Sequence, residues 1–171
     1  EIALISSKVS QKNKERISKQ VRLIEVKKFR NHNPSNIFWI KELYFKIKEY
    51  NPEIIHFQHS NPWFVFLFPL IRKYRIISTI HDVNPHYGER SFEQFISQSY
   101  LRNASSTFIV HGEKLKISLA KYISKTKKIF VIPHGNFAVF NPFSRINEEK
   151  NWILFFGRIY RYKGLEYLIR S

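Results

Sequence analysis

Short apolar runs recur along this 171-residue chain, and a helical pattern follows most of them. The runs occupy residues 2–6, 21–29, 53–57, 75–80, 107–110 and 128–132, and the helical patterns occupy residues 37–50, 62–74, 89–101 and 113–123. Strands and helices that alternate about every 25 residues are typical of a parallel sheet with crossover helices. We therefore predict an α/β fold with a doubly wound, Rossmann-like parallel sheet.

Two of the predicted helices carry more detailed expectations. One apolar face is predicted for the first of them, made of Ile37, Ile40, Leu43, Tyr44 and Ile47. Ser35 is placed to cap the start of this helix. Residues 62–74 are almost all apolar, but the run is far too short to span a bilayer. Both a buried helix and an interfacial contact with a membrane are open for this segment.

Polar residues and glycines follow the predicted strands at the points where the strands end. They are His59, His81, Asp82, His111, Gly112, His134 and Gly135. The carboxyl ends of parallel strands lie along one edge of a sheet, and ligands bind at that edge. Four of the seven histidines stand at these ends, which predicts a polar pocket there. The other three have simpler interpretations, with His56 as a satisfied core residue and His32 and His86 as surface residues.

A second candidate site lies after the last of these strands. Residues 152–156 are an apolar strand candidate, Gly157 follows, and Arg158 and Lys163 precede a helical segment at residues 165–171. A helix start with two cations nearby can hold a phosphate group through free N–H groups and full charges. An ordinary strand, turn and helix with surface cations is the alternative. The segment is not a Walker loop, because no Ser or Thr follows Lys163.

Composition narrows the partners and the chemistry. The chain has 29 Lys and Arg residues against 13 Asp and Glu, and its net charge of +16 favours nucleic acid, anionic lipid or a phosphorylated substrate. A solvated basic surface is the alternative. The sequence has no cysteine and no HExxH pattern, so no metal site is predicted. It also lacks the G-x-S-x-G and G-x-G-x-x-G motifs, which disfavours a serine hydrolase and a dinucleotide-binding enzyme.

Several of these segments resemble one family. WILFFGRIYRYKGLEYLI is similar to the motif that opens the C-terminal domain in family 4 glycosyltransferases of the GT-B fold. NPEIIHFQHSNPWF, RIISTIHDVNP, STFIVHGEKLK and KKIFVIPHGN resemble, in this order, the N-terminal domain of the same family. The resemblance implies that Arg158 and Lys163, beside Gly157, contact the diphosphate of a nucleotide-sugar donor. It also implies that His81 lies near the transferred sugar as the catalytic residue.

The resemblance also assigns the other strand-end residues and the domains. It places His59, Asp82, His111, Gly112, His134 and Gly135 at the acceptor side or along the cleft. It divides the chain into an acceptor-side domain at residues 1–136, a linker at residues 137–150 and the start of a donor-binding domain at residues 151–171. The family's first strand and its glycine-rich loop have no counterpart here, because no such loop follows residues 2–6. We therefore expect an incomplete GT-B fold and little transfer by this stretch alone.

The implied activity is that of a retaining, hexosyltransferase-type glycosyltransferase of polysaccharide biosynthesis. The enzyme would move a sugar from a nucleotide-diphosphate-sugar donor to a hydroxyl of a saccharide or lipid-linked acceptor, with no cofactor and no metal. Its expected location is the cytoplasm, including peripheral contact with the inner face of an anionic membrane, and no nucleic-acid partner is expected. The alternative is a basic α/β module that binds nucleic acid or anionic membrane without catalysis, with an affinity that falls steeply with salt.

Overall fold

The computed structural model describes residues 1–30, 32–84, 92–135, 150–157 and 159–171, and strands alternate with helices through most of these ranges. The strands are β1 (Ile2–Ser6), β2 (Val21–Glu25), β3 (Ile54–Phe57), β4 (Arg75–Ile80), β5 (Thr107–Val110) and β6 (Lys128–Val131). The helices are α1 (Gln11–Lys14), α2 (Asn36–Tyr50), α3 (Phe64–Ile71), α4 (Phe92–Ala104), α5 (Glu113–Ala120) and α6 (Leu165–Arg170), and a short 3₁₀ helix spans Arg161–Lys163. The predicted α/β class is confirmed.

The strands pair in parallel, as predicted, but they form two sheets rather than one. β1 pairs with β2, and β3, β4, β5 and β6 form a second sheet in that order. A groove of about 1030 Å³ lies between β1 and β3 and is lined by residues of both strands. In the classic doubly wound order 3-2-1-4-5-6, the first strand lies between the second and the fourth. If β1 and β2 correspond to the second and third strands of that order, the groove between β1 and β3 is the position of its first strand. The missing first strand that the sequence analysis expects stays a prediction.

Aromatic side chains join the four-stranded sheet to the helices that cover it. The Phe57 ring at the end of β3 lies 5.1 Å from the Phe64 ring and 5.3 Å from the Phe68 ring, both on α3. The Phe64 ring in turn lies 5.7 Å from the Trp39 ring on α2. All four residues are buried, so one aromatic cluster fixes α2 and α3 against β3.

The start and the buried face of α2 differ from the expectation. The Ser35 side chain makes no capping hydrogen bond. The fully buried side chain of Asn36 instead joins the helix to the loop before it, because its Oδ1 accepts from the Phe29 N–H and its Nδ2 donates to the Arg30 carbonyl. The predicted apolar face was also wrong at Ile37, which is 46% exposed. Helix α2 is oriented so that Trp39 packs against Phe64, and this orientation leaves Ile37 on the exposed side.

Helix α3 has one buried face and one exposed face. Phe64, Leu67, Phe68 and Ile71 are buried, whereas Phe66 and Leu70 are 53% and 49% exposed. A buried helix and an interfacial contact with a membrane are therefore compatible for this segment, because one face packs in the core while the other is exposed. In the described part of the chain, no helix combines the length and apolarity that crossing a bilayer needs.

The predicted strand at residues 152–156 was wrong. These residues are in no strand, and Trp152, Ile153, Leu154 and Phe156 are between 77% and 94% exposed. A strand needs a neighbouring strand to satisfy its N–H and C=O groups, and no described strand pairs with this stretch. The helix expected from residue 165 is present as α6. The expectations for the linker at residues 137–149 and for His86 lie outside the described residues.

Two leucines of α3 test the core. We expect Leu67→Ala, at a side chain with 0% exposure, to lower the free energy of unfolding by about 2–5 kcal/mol, because it removes buried contacts and leaves a cavity. Leu70→Ala, three residues further on the same helix, should change it by less than about 1 kcal/mol. Urea denaturation followed by circular dichroism measures both, and equal losses would contradict this packing.

Candidate functional site

Three strand-end histidines meet at the carboxyl edge of the four-stranded sheet. β4, β5 and β6 are neighbours, and their register aligns Ile80, Val110 and Val131. His81 and His111 each follow a strand by one residue, so they occupy adjacent positions at the edge. His134 comes after β6. The predicted meeting of these three residues is therefore what the strand pairing produces.

The three imidazole rings lie close together. The ring centroids of His111 and His134 are 3.6 Å apart in a stacked arrangement, and those of His81 and His111 are 5.0 Å apart. The centroids of His81 and His134 are 6.0 Å apart. We call His81, His111 and His134 the histidine cluster. His81 and His134 are exposed, and His111 is half-buried.

Backbone carbonyls decide which nitrogen carries the proton in two of these rings. His111 Nδ1 lies 2.8 Å from the Ile132 carbonyl oxygen, and His81 Nε2 lies 3.1 Å from the Gln58 carbonyl oxygen. A carbonyl oxygen only accepts, so each of these nitrogens donates. In the neutral rings the other nitrogens, His111 Nε2 and His81 Nδ1, therefore carry lone pairs. His111 Nε2 is buried and has no hydrogen-bond partner within the described structure.

Two further histidines lie on β3 or just after it. Partial desolvation of the ring lowers the pKa of His59 below the ordinary histidine value of 6.5 although the residue as a whole is exposed, and the charges of Lys28 and His81 lower that pKa further. The effect of His81 places His59 within electrostatic reach of the cluster. Burial also lowers the pKa of His56, whose Nε2 lies 2.8 Å from Thr79 Oγ1. The prediction for His56 was correct about a satisfied ring but wrong about a core position, because the residue as a whole is exposed and its ring is only partly desolvated.

The other residues predicted for this edge are the sequence neighbours of the three cluster histidines. Asp82 is exposed directly after His81. Gly112 is the residue before α5, and Gly135 is exposed next to His134. A Cβ built on either glycine meets no atom within 4 Å, so neither position demands a glycine for steric reasons in this structure. Their functional roles stay predictions.

Some contacts at the site were missed from the sequence. Gln58 provides the carbonyl for His81, and its side-chain amide lies 3.3 Å from His56 Nε2. The position of Gln58 directly before His59 and after a predicted strand was a usable signal. Thr79 and the carbonyl of Ile132 had no such signal, because their contacts depend on the packing of neighbouring strands.

The candidate phosphate segment is described only in part. Arg158 lies outside the described residues, whereas Lys163 is exposed at the end of the 3₁₀ helix. Gly157 has φ +139° and Gly164 has φ +70°, and both values favour glycine strongly. None of the described residues in 150–171 is buried.

Comparison with known proteins identifies the family of this chain. The model of Glycosyltransferase Family 4 matches residues 1–135. The chain belongs to glycosyltransferase family 4. The matched stretch contains the six strands that the structure describes and the whole histidine cluster, so the cluster is part of the family 4 domain. No curated protein matches the chain.

Membership in family 4 supports a glycosyltransferase, with a sugar donor and an acceptor as its partners in general. It does not support the alternative of a basic module without catalysis. Arg158 and Lys163 lie beyond the matched residues, so their roles rest on the resemblance of their own segment. The carboxyl edge of the sheet is the part of this family 4 chain where described side chains converge on one candidate site.

The lowered pKa values of His56 and His59 predict how stability changes with pH. Because the folded protein binds a proton at these rings less readily than the unfolded chain does, the free energy of unfolding should fall as pH drops below about 6.5. NMR titration should place both pKa values below 6.5. His59→Gln should reduce the slope of stability against pH. An unchanged slope in His59→Gln would contradict the assignment.

Proposed function

We propose that this protein is a retaining glycosyltransferase that moves a sugar from a nucleotide-diphosphate-sugar donor to an acceptor hydroxyl. In this reaction the bond from the anomeric carbon to the diphosphate breaks, and a bond to the acceptor oxygen forms on the same face. The single observation that carries the proposal is the histidine cluster at the carboxyl edge of a parallel sheet in a family 4 chain.

The proton positions in the cluster favour a sugar over a phosphate. His81 and His111 each use one N–H on a backbone carbonyl, so their remaining nitrogens accept hydrogen bonds when the rings are neutral. Sugar hydroxyls donate hydrogen bonds, whereas phosphate oxygens at neutral pH mainly accept them. The cluster is therefore suited to hold hydroxyl groups near the reacting carbon, and we assign the catalytic contact to His81.

His81 is assigned as a contact to the sugar rather than as a general base. In a transfer on one face, the diphosphate oxygen that leaves the anomeric carbon lies beside the acceptor and takes the proton of the attacking hydroxyl, so no side-chain base is needed. His81 Nδ1 would accept from a sugar hydroxyl while Nε2 stays bound to the Gln58 carbonyl, which fixes the orientation of the ring. His59, Asp82, Gly112 and Gly135 would line the acceptor side around it.

The departing diphosphate needs cations, and the segment after Gly157 provides them. Charge builds up on the diphosphate oxygens as the sugar leaves, and nearby cations stabilise that charge in the transition state. Arg158 and Lys163 are the proposed contacts. The left-handed backbone at Gly164 ends the 3₁₀ helix directly after Lys163, so the position of this lysine is tied to a turn that other residues adopt poorly.

Exposed apolar side chains on α2 and α3, with cations beside them, form a surface that could contact the membrane of a lipid-linked acceptor. We call Ile37, Phe38, Phe45, Phe66 and Leu70 the α2–α3 patch, and all five are between 46% and 69% exposed. A groove of about 290 Å³ lies among them and is also lined by Lys41. Arg72 and Lys73 are exposed directly after α3. Aromatic side chains beside cations suit the interface of an anionic membrane, so we propose a peripheral contact here.

The diphosphate contacts can be tested by substitution. In the full-length protein, Arg158→Ala and Lys163→Ala should each reduce kcat/KM for the nucleotide-sugar donor by about tenfold to a hundredfold, because a charge-assisted hydrogen bond contributes about 1.5–3 kcal/mol. Arg170→Ala is the matched control, since this arginine is an exposed cation in the last turn of α6. Donor use at the wild-type level in both variants would remove the proposed diphosphate site.

Vesicle binding tests the membrane contact. The double variant Phe38→Ser and Phe66→Ser should bind vesicles of anionic lipid at least about tenfold more weakly, because it removes two apolar side chains from the interface. Phe130→Ser, at an exposed ring on β6, should bind like the wild type. Co-sedimentation with anionic and with neutral vesicles separates the apolar contribution from charge. Equal binding by all three proteins would rule out the α2–α3 patch.

A further inference from the structure

Lys28 and His59 lie against the same pair of aromatic rings at the carboxyl end of the sheet. The Lys28 ammonium is 5.6 Å from the centre of the Trp39 ring, and the Trp39 ring lies 5.7 Å from the Phe64 ring. The Phe64 ring is in turn 6.4 Å from the His59 ring. Trp39 and Phe64 are both buried in the core, so they form a fixed wall. A cation and an imidazole on one fixed wall form a candidate binding site outside the histidine cluster.

Both side chains stand beyond the ends of strands. The N–H of Val26 donates to the Ser6 carbonyl, which extends the pairing of β1 with β2, and Lys28 follows two residues later. His59 follows the end of β3 by two residues. The groove between β1 and β3 is lined by Lys28 and His59 and, at the same end, by Ser6 and Ser7. A strand that paired with β1 and β3 would stop where they stop and would not itself cover Lys28 or His59.

The charges that line this groove differ between its two ends. Its acidic lining residues are Glu1, Glu49 and Glu53, and they lie where β1 and β3 begin. Arg22 also lines that end, where it forms an ion pair with Glu49 at 3.9 Å. Among the described residues, no carboxylate lines the end where Lys28 lies. The carboxyl end of the groove therefore attracts anions, and the other end does not.

The polar groups of this end are available to a ligand. Within the described ranges of the chain, neither the Lys28 ammonium nor the His59 ring takes part in a hydrogen bond or an ion pair. The charge of Lys28 is close enough to lower the pKa of His59, so the two groups also lie within reach of one small anion. An ammonium donates three hydrogen bonds and a neutral imidazole donates one.

We propose that Lys28 and His59 bind a phosphate group carried by the acceptor, with the hydroxyls of Ser6 and Ser7 as further donors. The inference rests on the proposed transfer reaction and names the class of its acceptor, which is a phosphorylated saccharide or a saccharide joined to a lipid through phosphate. Lysine is a common phosphate contact. The neutral rings of the histidine cluster present lone pairs and are unsuited to this group, so phosphate and reacting hydroxyl would occupy different positions along one edge.

The location of Lys28 and His59 fits an acceptor that extends to His81. His59 follows β3 and His81 follows the neighbouring β4, and the charge of His81 also lowers the pKa of His59. In the other direction, Trp39 is one residue from Phe38 of the α2–α3 patch. A phosphate at Lys28 would therefore lie between the sugar-binding histidine and the surface proposed to contact a membrane.

Phosphate binding by the full-length protein tests the site. Inorganic phosphate is titrated at constant ionic strength, because salt screens surface charges, and the imidazole signals are followed by NMR. We expect saturable binding with a Kd of about 10 mM or tighter. The pKa of His59 should rise by about one unit, because a nearby negative charge favours the protonated ring. Lys28→Gln should weaken phosphate binding at least about tenfold, because it removes a charge-assisted hydrogen bond.

Lys27→Gln is the matched control, since it removes the same charge from the neighbouring position. The Lys27 ammonium lies 5.3 Å from the centre of the Phe29 ring, and Lys27 does not line the groove. This variant should bind phosphate within about twofold of the wild type. Lys28→Arg keeps the charge and should retain binding, which separates loss of the contact from loss of folding. Absence of saturable binding, or equal affinities in Lys27→Gln and Lys28→Gln, would overturn the proposal.

Hexyl phosphate distinguishes the two sources of the phosphate group. Binding at least about threefold tighter than that of inorganic phosphate supports a lipid-linked acceptor, because the hexyl chain buries apolar surface. Equal binding supports a soluble phosphorylated acceptor, and both results support the site. Hydrolysis of the nucleotide-sugar donor by the wild type without acceptor tests the transferase separately. Donor use without phosphate binding would refute only this inference, and phosphate binding without donor use would contradict only the transferase.

Discussion

The parallel register of β4, β5 and β6 is the constraint on which the candidate site depends. Adjacent strands lie about 4.8 Å apart, and His81 and His111 follow register partners by one residue, so their rings meet at 5.0 Å. The same register brings the Ile132 carbonyl to His111, and the pairing of β3 with β4 brings the Gln58 carbonyl to His81. A slip of one residue would turn one of these side chains to the other face of the sheet. Strand pairing therefore sets both the distances and the proton positions.

Much of the fold could be predicted because its strands are continuous apolar runs bounded by polar turns. β4 and β5 begin and end where the sequence predicted. The failures share one cause, since each depended on a partner distant in sequence. Trp39 rather than Ile37 is buried because Phe64 is there to receive it. Residues 152–156 are apolar enough for a strand, yet no described strand pairs with them.

The sequence predicted the location of the site better than its chemistry. The position of a histidine after a strand is local information, and the topology of a parallel sheet converts it into a shared edge. Which nitrogen of His111 carries a proton is not local, because it depends on a carbonyl that lies 21 residues further along the chain. For the same reason, the sequence could not show which nitrogen of His81 carries a proton, because that depends on the Gln58 carbonyl.

The proton positions in the cluster also determine what else the site must contain. Neutral rings that have given their N–H groups to carbonyls present only lone pairs, and lone pairs repel the oxygens of a diphosphate. The net charge of +16 does not change this, because it resides on lysines and arginines rather than on these rings. A transferase built on this edge therefore needs its cations from elsewhere in the chain, as the segment with Arg158 and Lys163 would provide.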